Sequence, residues 1–395
     1  VAAETRIVVL SLGDATDITS YSGLPYGLAQ GLQRVGCEAV FPSVRLNDRL
    51  DQGLVSVLGL GYLNRSELRA HPRHTYWRGR RVADTGGILC GVRSVGVNRR
   101  LASDIHGISG IVCHGTEIDP GPLDVPIVTL EDQTLAAALR VTSSYPHLQQ
   151  MTPRRIRFTE RQTRRVYANA SAYCYMSDFA ARSGVDDYGL DPARVHVVGR
   201  GLNIEPSQIS DRDWAVPRFL WVGKEWKRKG GADLLRAFAQ VAEACPDAQL
   251  HLVGDHPSAL PPGVSGHGML NPARASERDR LSALFTASTC FVLPSLHEPA
   301  GIVHSEAGQA GVGSIGSTSG GAATLIGDGG LLVAPGDIDG VVRAMVTFTD
   351  PLRAQRFGAR ARARAALFSW DRVAGRLVRA LGLTAPGSTE LPLFL

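Results

Sequence analysis

The chain has 395 residues, enough for two domains that each bury a core of their own. Hydrophobic residues make up 44% and charged residues 20%, and no apolar run approaches the roughly 18 residues of a membrane-spanning helix, so a soluble globular protein is expected. A formal net charge of +5 is too mild to point to nucleic acid.

The sequence opens almost at once on a strand, Arg6 to Leu10, with no charged region, apolar core and cleavage site of a secretory signal before it. A cytoplasmic protein is the expectation. Short apolar runs then alternate with helical stretches: Ile7 to Leu12, Ile111 to Cys113, Val125 to Leu130, Ala172 to Met176 and Val195 to Val198. These read as parallel strands. From Gly199 to Pro217 the pattern breaks into polar, Pro-containing and acidic sequence, including Glu205-Pro206 and Asp211-Arg212-Asp213, which reads as a linker.

A second alternating series begins at Arg218: a strand over 218–223, a helix from Gly231, a strand from Gln249 to Val253, a helix near Arg278 to Ala287 and a strand from Cys290 to Leu293. A helix from about Gly301 and a strand near Leu331 to Val333 follow. The helix carrying Trp370, Val373, Leu377 and Leu381 has the spacing of an amphipathic packer. The expected fold class is α/β, with two Rossmann-like doubly wound domains facing each other across a cleft. The first covers residues 1–200, the linker 201–217 and the second 218–367, with the terminal helix, about 368–383, packing back on the first.

Arginines concentrate in two places. Arg65, Arg69, Arg73, Arg78, Arg80, Arg81, Arg93, Arg99 and Arg100 form one group, and Arg154, Arg155, Arg157, Arg161, Arg164 and Arg165 the other. Both read as solvated faces, the alternatives being a phosphorylated acceptor or an anionic membrane surface. The six cysteines stand singly, without metal or redox spacing, and read as small buried apolar residues. Asp211-Arg212-Asp213 and Asp337-Ile338-Asp339 imitate a metal-binding pair, yet the first lies in the linker and the second starts a helix, so no catalytic metal is expected.

The three lysines of the chain all fall within Lys224-Glu225-Trp226-Lys227-Arg228-Lys229. This stretch follows the strand ending at Gly223 and precedes Gly230-Gly231 and a helical pattern. Loops at the carboxyl ends of parallel strands bind ligands, and an ammonium there is a compact point charge suited to phosphate. A solvated charged turn is the plainer reading. Downstream, Glu298 and Glu306 flank the start of a helix whose first amides, those of Ala300, Gly301 and Ile302, offer donors to a phosphate or sugar oxygen. Carboxylates at that end also simply favour a helix start.

Gly223-Lys224 followed by Lys229-Gly230, and then Glu298 with Glu306, resembles family 4 of the retaining glycosyltransferases, the glycosyl transferases of group 1, which have the GT-B fold. Ser20-Tyr21-Ser22-Gly23-Leu24-Pro25-Tyr26 is similar to that family's first loop, whose backbone approaches the donor phosphates, and Val195 to Asn203 to its strand and turn before the linker. Gly316 to Gly321, Gly329 to Gly336 and Phe368-Ser369-Trp370-Asp371 resemble further segments of it. The resemblance implies that Lys224 and Lys229 bind the donor diphosphate, with Lys224 where the family usually has arginine. It implies that Glu306 binds ribose, that Glu298 and the amides of Ala300, Gly301 and Ile302 bind sugar or phosphate, and that Ser22, Gly23, Gly223 and the backbone at Gly268-Met269 contact the donor.

Many family members carry a histidine after the strand that is here Val125 to Leu130. This chain has Glu131-Asp132-Gln133-Thr134, and Asp132 takes that position. A helix cap is its non-catalytic alternative. His114 and Glu131 are the remaining acceptor-side candidates. The function these imply is a retaining, metal-independent glycosyltransferase, without a cofactor, that uses a nucleotide diphosphate sugar as donor and a small molecule or glycan as acceptor. A sugar-nucleotide epimerase on the same fold and an inactive nucleotide-sugar binding subunit are the rival readings. A pyridoxal-dependent phosphorylase fits poorly, because every lysine is in the phosphate loop.

Overall fold

The computed structural model describes residues 5–46, 48–60, 87–149, 151–204 and 212–384. Arg65, Arg69, Arg73, Arg78, Arg80 and Arg81 of the first arginine group, and Glu205, Pro206 and Asp211 of the linker, lie outside them.

Strands β1 (Thr5–Leu10), β2 (Cys37–Val40), β3 (Gly110–His114), β4 (Ile127–Glu131), β5 (Ala172–Tyr175) and β6 (Val195–Val197) form one parallel sheet in the order β2-β1-β3-β4-β5-β6. Strands β7 (Arg218–Gly223), β8 (Gln249–Gly254), β9 (Val264–Gly266), β10 (Cys290–Val292), β11 (Gly313–Ser317) and β12 (Gly330–Val333) form a second, in the order β12-β11-β10-β7-β8-β9. Chain direction across each sheet reverses once, between β1 and β3 in the first and between β7 and β10 in the second. Crevices at the carboxyl ends of strands open at such switch points, because the flanking helices leave there on opposite faces. The two crevices face one another.

Alternation along β1 shows why both faces of the first sheet are covered. Ile7 and Val9 pack with Leu24, Leu28 and Leu32 of the helix Leu24–Arg34 and with Val373 and Leu377 of the terminal helix Trp370–Ala380. Val8 and Leu10 point the other way, into Val97, Leu101, Val166 and Tyr167. The terminal helix therefore crosses back onto the first sheet, and Arg376 fastens it by donating to Val198 O at 2.9 Å.

The alternating apolar runs predicted nine of these strands; β2, β9 and β11 were not anticipated. In β11, Gly313-Ser314-Ile315-Gly316-Ser317, one large apolar residue stands among small ones. Small residues are needed because Phe348 and Phe357 press on the strand so closely that a Cβ at Gly313 would lie 2.7 Å from each. Arg93 corrects another expectation. It is not on a solvated face but fully buried, with Nη2 2.5 Å from Asp51 Oδ2, since that buried carboxylate requires a cation. Arg154, Arg161, Arg164 and Arg165 are exposed along the helix Pro153–Asn169, as predicted. Of the six cysteines, five are buried and Cys245 half-buried, all as free thiols. Among the described residues, no helix is long and apolar enough to cross a membrane.

Candidate active site

β7 ends at Gly223, and its lysine loop folds down over the end of β10. Trp221 Nε1 donates to Lys229 O at 3.1 Å, and Leu296 N donates to Arg228 O at 2.8 Å. Gly230 makes this approach possible: its φ is +69°, and a Cβ there would lie 2.1 Å from Pro294 O. Lys229 Nζ consequently donates to the Glu298 carboxylate, with 11% and 7% of the two side chains exposed. Ser295 Oγ donates to the same Glu298 oxygen at 3.1 Å, and Arg228 Nη1 stands 3.7 Å from it while donating to His297 O at 2.8 Å.

Two buried charges are tolerable only with such multiple partners. Burial works against the Glu298 charge, but Lys229 and Arg228 outweigh it and hold the carboxyl at about 2. Burial also pulls the Lys229 ammonium down, and Glu298 opposes that pull. Lys224 and Lys227 are exposed, and of these Lys224 lines the cleft.

The helix Ile302–Gln309 begins beside this pair, with Gly301 at its cap at φ 74° and no side chain capping it. His304 N donates back to Gly301 O at 2.9 Å, and the amides before it at the helix start are left for a ligand. Glu306 lies about one turn into the helix and is 6% exposed. Burial pushes its carboxyl up to about 7, against Arg200 and the Asn203 backbone. His304, on the buried side of the same helix, has neither ring nitrogen partnered among the described residues, and burial brings it down to about 4.

Between the two sheets lies a cleft of about 400 Å³. Ser22, Asp132, Gln133, Arg200 and Asn203 line its first-domain wall. Gly223, Lys224, Arg228, Lys229, Glu298, Ala300, Gly301, Ile302 and Glu306 line the other, and Leu270, Pro272 and Leu281 form an apolar end. Of the candidate site residues singled out in the sequence, four stand elsewhere. Gly23 caps the helix Leu24–Arg34 behind Ser22. Met269 is half exposed, its neighbour Leu270 facing the cleft instead. His114 and Glu131 line a second cavity of about 270 Å³ inside the first domain, which meets the cleft at Asp132 and Gln133.

That inner cavity is acidic. Burial raises the carboxyls of Glu117 and Asp132, the latter against Arg200, and lifts Glu131 to about 8 although Tyr167 Oη donates to it at 2.9 Å. His114 Nδ1 lies 2.8 Å from Ser11 Oγ, and burial with the nearby Arg200 brings the ring down to about 3, so it is neutral at pH 7. Asp132 is not the cap of the helix Leu135–Arg140; Thr134 is, accepting from Ala137 N at 3.1 Å. The Asp132 carboxyl is thereby free of a capping task.

Sequence reasoning missed Arg200, Arg228, Gln133 and His297. Arg228 could have been found from its place among the lysines, whereas Arg200, between two glycines after β6, carries no signal of its own. Among the described residues, no group of three or more His, Cys, Asp or Glu side chains is placed to hold a metal ion.

Comparison with known proteins fits this geometry. A sucrose-phosphate synthase from Thermosynechococcus elongatus superposes with a TM-score of 0.65 at 20% identity, covering 96% of this chain and 99% of that one. An Anabaena protein solved with UDP and glucose does so with a TM-score of 0.59 at 15% identity, over 96% and 100% of the two chains. The chain has the GT-B fold. Within it, residues 216–350, most of the second domain, match the family described as glycosyl transferases group 1. Over 232 residues this GT-B chain is 29% identical to a D-inositol 3-phosphate glycosyltransferase of Nocardioides sp., covering 50% of each protein. The chain thus spans about half the length of the curated relatives it matches.

Proposed function

We propose that this protein transfers a sugar from a nucleoside diphosphate sugar to an acceptor hydroxyl. The observation that carries this reading is the convergence, at the β7/β10 switch point, of Lys229, Arg228, Glu298, an uncapped helix start and Glu306 on one wall of a single cleft. The names of its relatives, a glycosyltransferase of D-inositol 3-phosphate and a sucrose-phosphate synthase, support the same class of chemistry.

In this reading Lys229, Arg228 and the amides from Ala300 to Ile302 take the diphosphate, and Lys224 adds its charge from the rim. Glu306 accepts hydrogen bonds from the ribose and Glu298 orients the sugar side. The acceptor enters the cavity of the first domain and reaches the cleft beside Asp132. Negative charge grows on the leaving phosphate as the glycosidic bond breaks, and fixed cations and amides in a closed site stabilise it more than they do the ground state. The leaving phosphate oxygen takes the acceptor proton on the same face, which gives retention without a metal. A cytoplasmic location suits the supply of such donors.

The buried carboxyls Glu117, Glu131 and Asp132 favour one second reading, an epimerase of sugar nucleotides, in which they would move protons on the donor sugar. Incubation with donor sugars, with and without candidate acceptors, separates the two. Transfer releases free nucleoside diphosphate only with acceptor present, and proton NMR of the new anomeric linkage reads its stereochemistry. An altered donor sugar with its diphosphate intact would support the epimerase instead.

A further inference from the structure

Tyr21 at φ 48° and Ser22 at φ 53° are the residues other than glycine with a left-handed backbone among those described. A residue with a side chain keeps this conformation only where its surroundings impose it. The two face different spaces, Tyr21 lining the cavity of the first domain and Ser22 the cleft, so their turn is part of the wall between them.

Both carbonyls of the turn are held from outside it. Arg200 Nη2 donates to Tyr21 O at 2.9 Å and to Ser22 O at 3.3 Å, and Asn203 Nδ2 also donates to Ser22 O. Arg200 and Asn203 lie where the chain leaves the first domain, and Asn203 Oδ1 accepts from Trp370 Nε1 at 3.3 Å. Arg200 is 8% exposed, and its Nε is buried with no partner among the described residues. Asp132, Glu298 and Glu306 balance its charge around the cleft, with the neutral ring of His114 on the first-domain side.

Resting on the transferase reading, we propose that Arg200 is a positioning residue of this site: it clamps the left-handed Tyr21–Ser22 turn and so sets the wall between donor cleft and acceptor cavity. A guanidinium suits the task because its planar Nη2 carries two donors in fixed directions, which serve the two carbonyls from one atom. Since the clamp sits at the exit of the first domain, any shift of the connecting segment is passed to the turn.

Hydrogen–deuterium exchange on the whole chain, following the peptide over residues 20–24, tests the clamp without a ligand. Arg200→Met is expected to speed exchange there about tenfold, the scale of one lost charge-assisted hydrogen bond, and Arg200→Lys less. Titration with UDP, GDP and ADP tests the positioning role. Arg200→Met is expected to weaken the nucleotide that binds best, and Ser22→Gly in the same chain to recover part of that loss, because glycine adopts positive φ at no steric cost. Unchanged exchange at 20–24 in a folded Arg200→Met chain overturns the proposal, as does a loss of affinity that Ser22→Gly leaves in full. Should Arg200→Met fail to fold, Asn203→Ala, which removes the second clamp on Ser22 O, is held to the same two outcomes. Faster exchange with no nucleotide bound by the wild type supports the clamp and counts against the transferase reading alone.

Discussion

Gln133 Oε1 and His297 Nε2 stand 3.1 Å apart, one at the end of the first sheet and the other in the loop that carries Glu298, so a side-chain hydrogen bond joins the two walls of the cleft. His297 Nδ1 is engaged by Ser319 Oγ at 3.0 Å, which fixes the ring. Replacing Gln133 with alanine removes the bridge without touching the cations. Turnover with donor and acceptor should fall about tenfold, the scale of one such bond, with the melting temperature nearly unchanged.

Lys229 and Glu298 differ in what their loss exposes. Glu298→Ala strands a buried ammonium, and the penalty for an uncompensated buried charge is about 3–5 kcal/mol. Thermal unfolding should therefore show a larger drop for Glu298→Ala than for Lys224→Ala, whose side chain is exposed. Adding Lys229→Met to Glu298→Ala should recover part of the drop, because the stranded charge goes with it.

Gly230→Ala tests the packing of the lysine loop on β10. The added methyl meets Pro294 O and demands positive φ from a residue that disfavours it. Stability should fall by about 1–3 kcal/mol, the range for such backbone strain, and nucleotide affinity should fall with it as Lys229 moves away. Denaturant unfolding and nucleotide titration read the two effects.

Glu306 gives the fold a pH dependence with a definite sign. Its folded pKa, about 7, lies above the 4.5 of the unfolded chain. Between those values the native state holds a proton that the unfolded state has released, so stability falls as pH rises from about 4.5 to 7. Glu131, at about 8, acts in the same direction. Chemical unfolding at several pH values should show Glu306→Gln losing part of this slope and gaining stability over wild type above pH 7. An unchanged slope would mean that Glu306 is ionised throughout.

Much of this was readable from the residues, for reasons particular to each. The lysine loop stood out because the rest of the chain uses arginine for its cations, and the alternating apolar runs marked the strands that carry large side chains. Glu298 and Glu306 were visible as a pair, but their different states were not. Glu298 is held ionised by Lys229 and Arg228, whereas Glu306 is buried with a weaker guanidinium influence, a contrast that only the packing reveals. Strand β11 escaped because its small residues answer to Phe348 and Phe357, far along the chain. Arg200 escaped for the same reason: its role is defined by the carbonyls of Tyr21 and Ser22, more than 170 residues earlier.

The central claim, a diphosphate held at the β7/β10 crevice by Lys229, is tested most directly by calorimetric titration of UDP, GDP, ADP and TDP into the wild-type chain and into Lys229→Ala. At least one nucleotide should bind the wild type and lose about a hundredfold in affinity in the variant, the scale of removing a charge from a closed electrostatic site. Equal affinity in both chains, or no binding of any of the four to the wild type, would contradict the account.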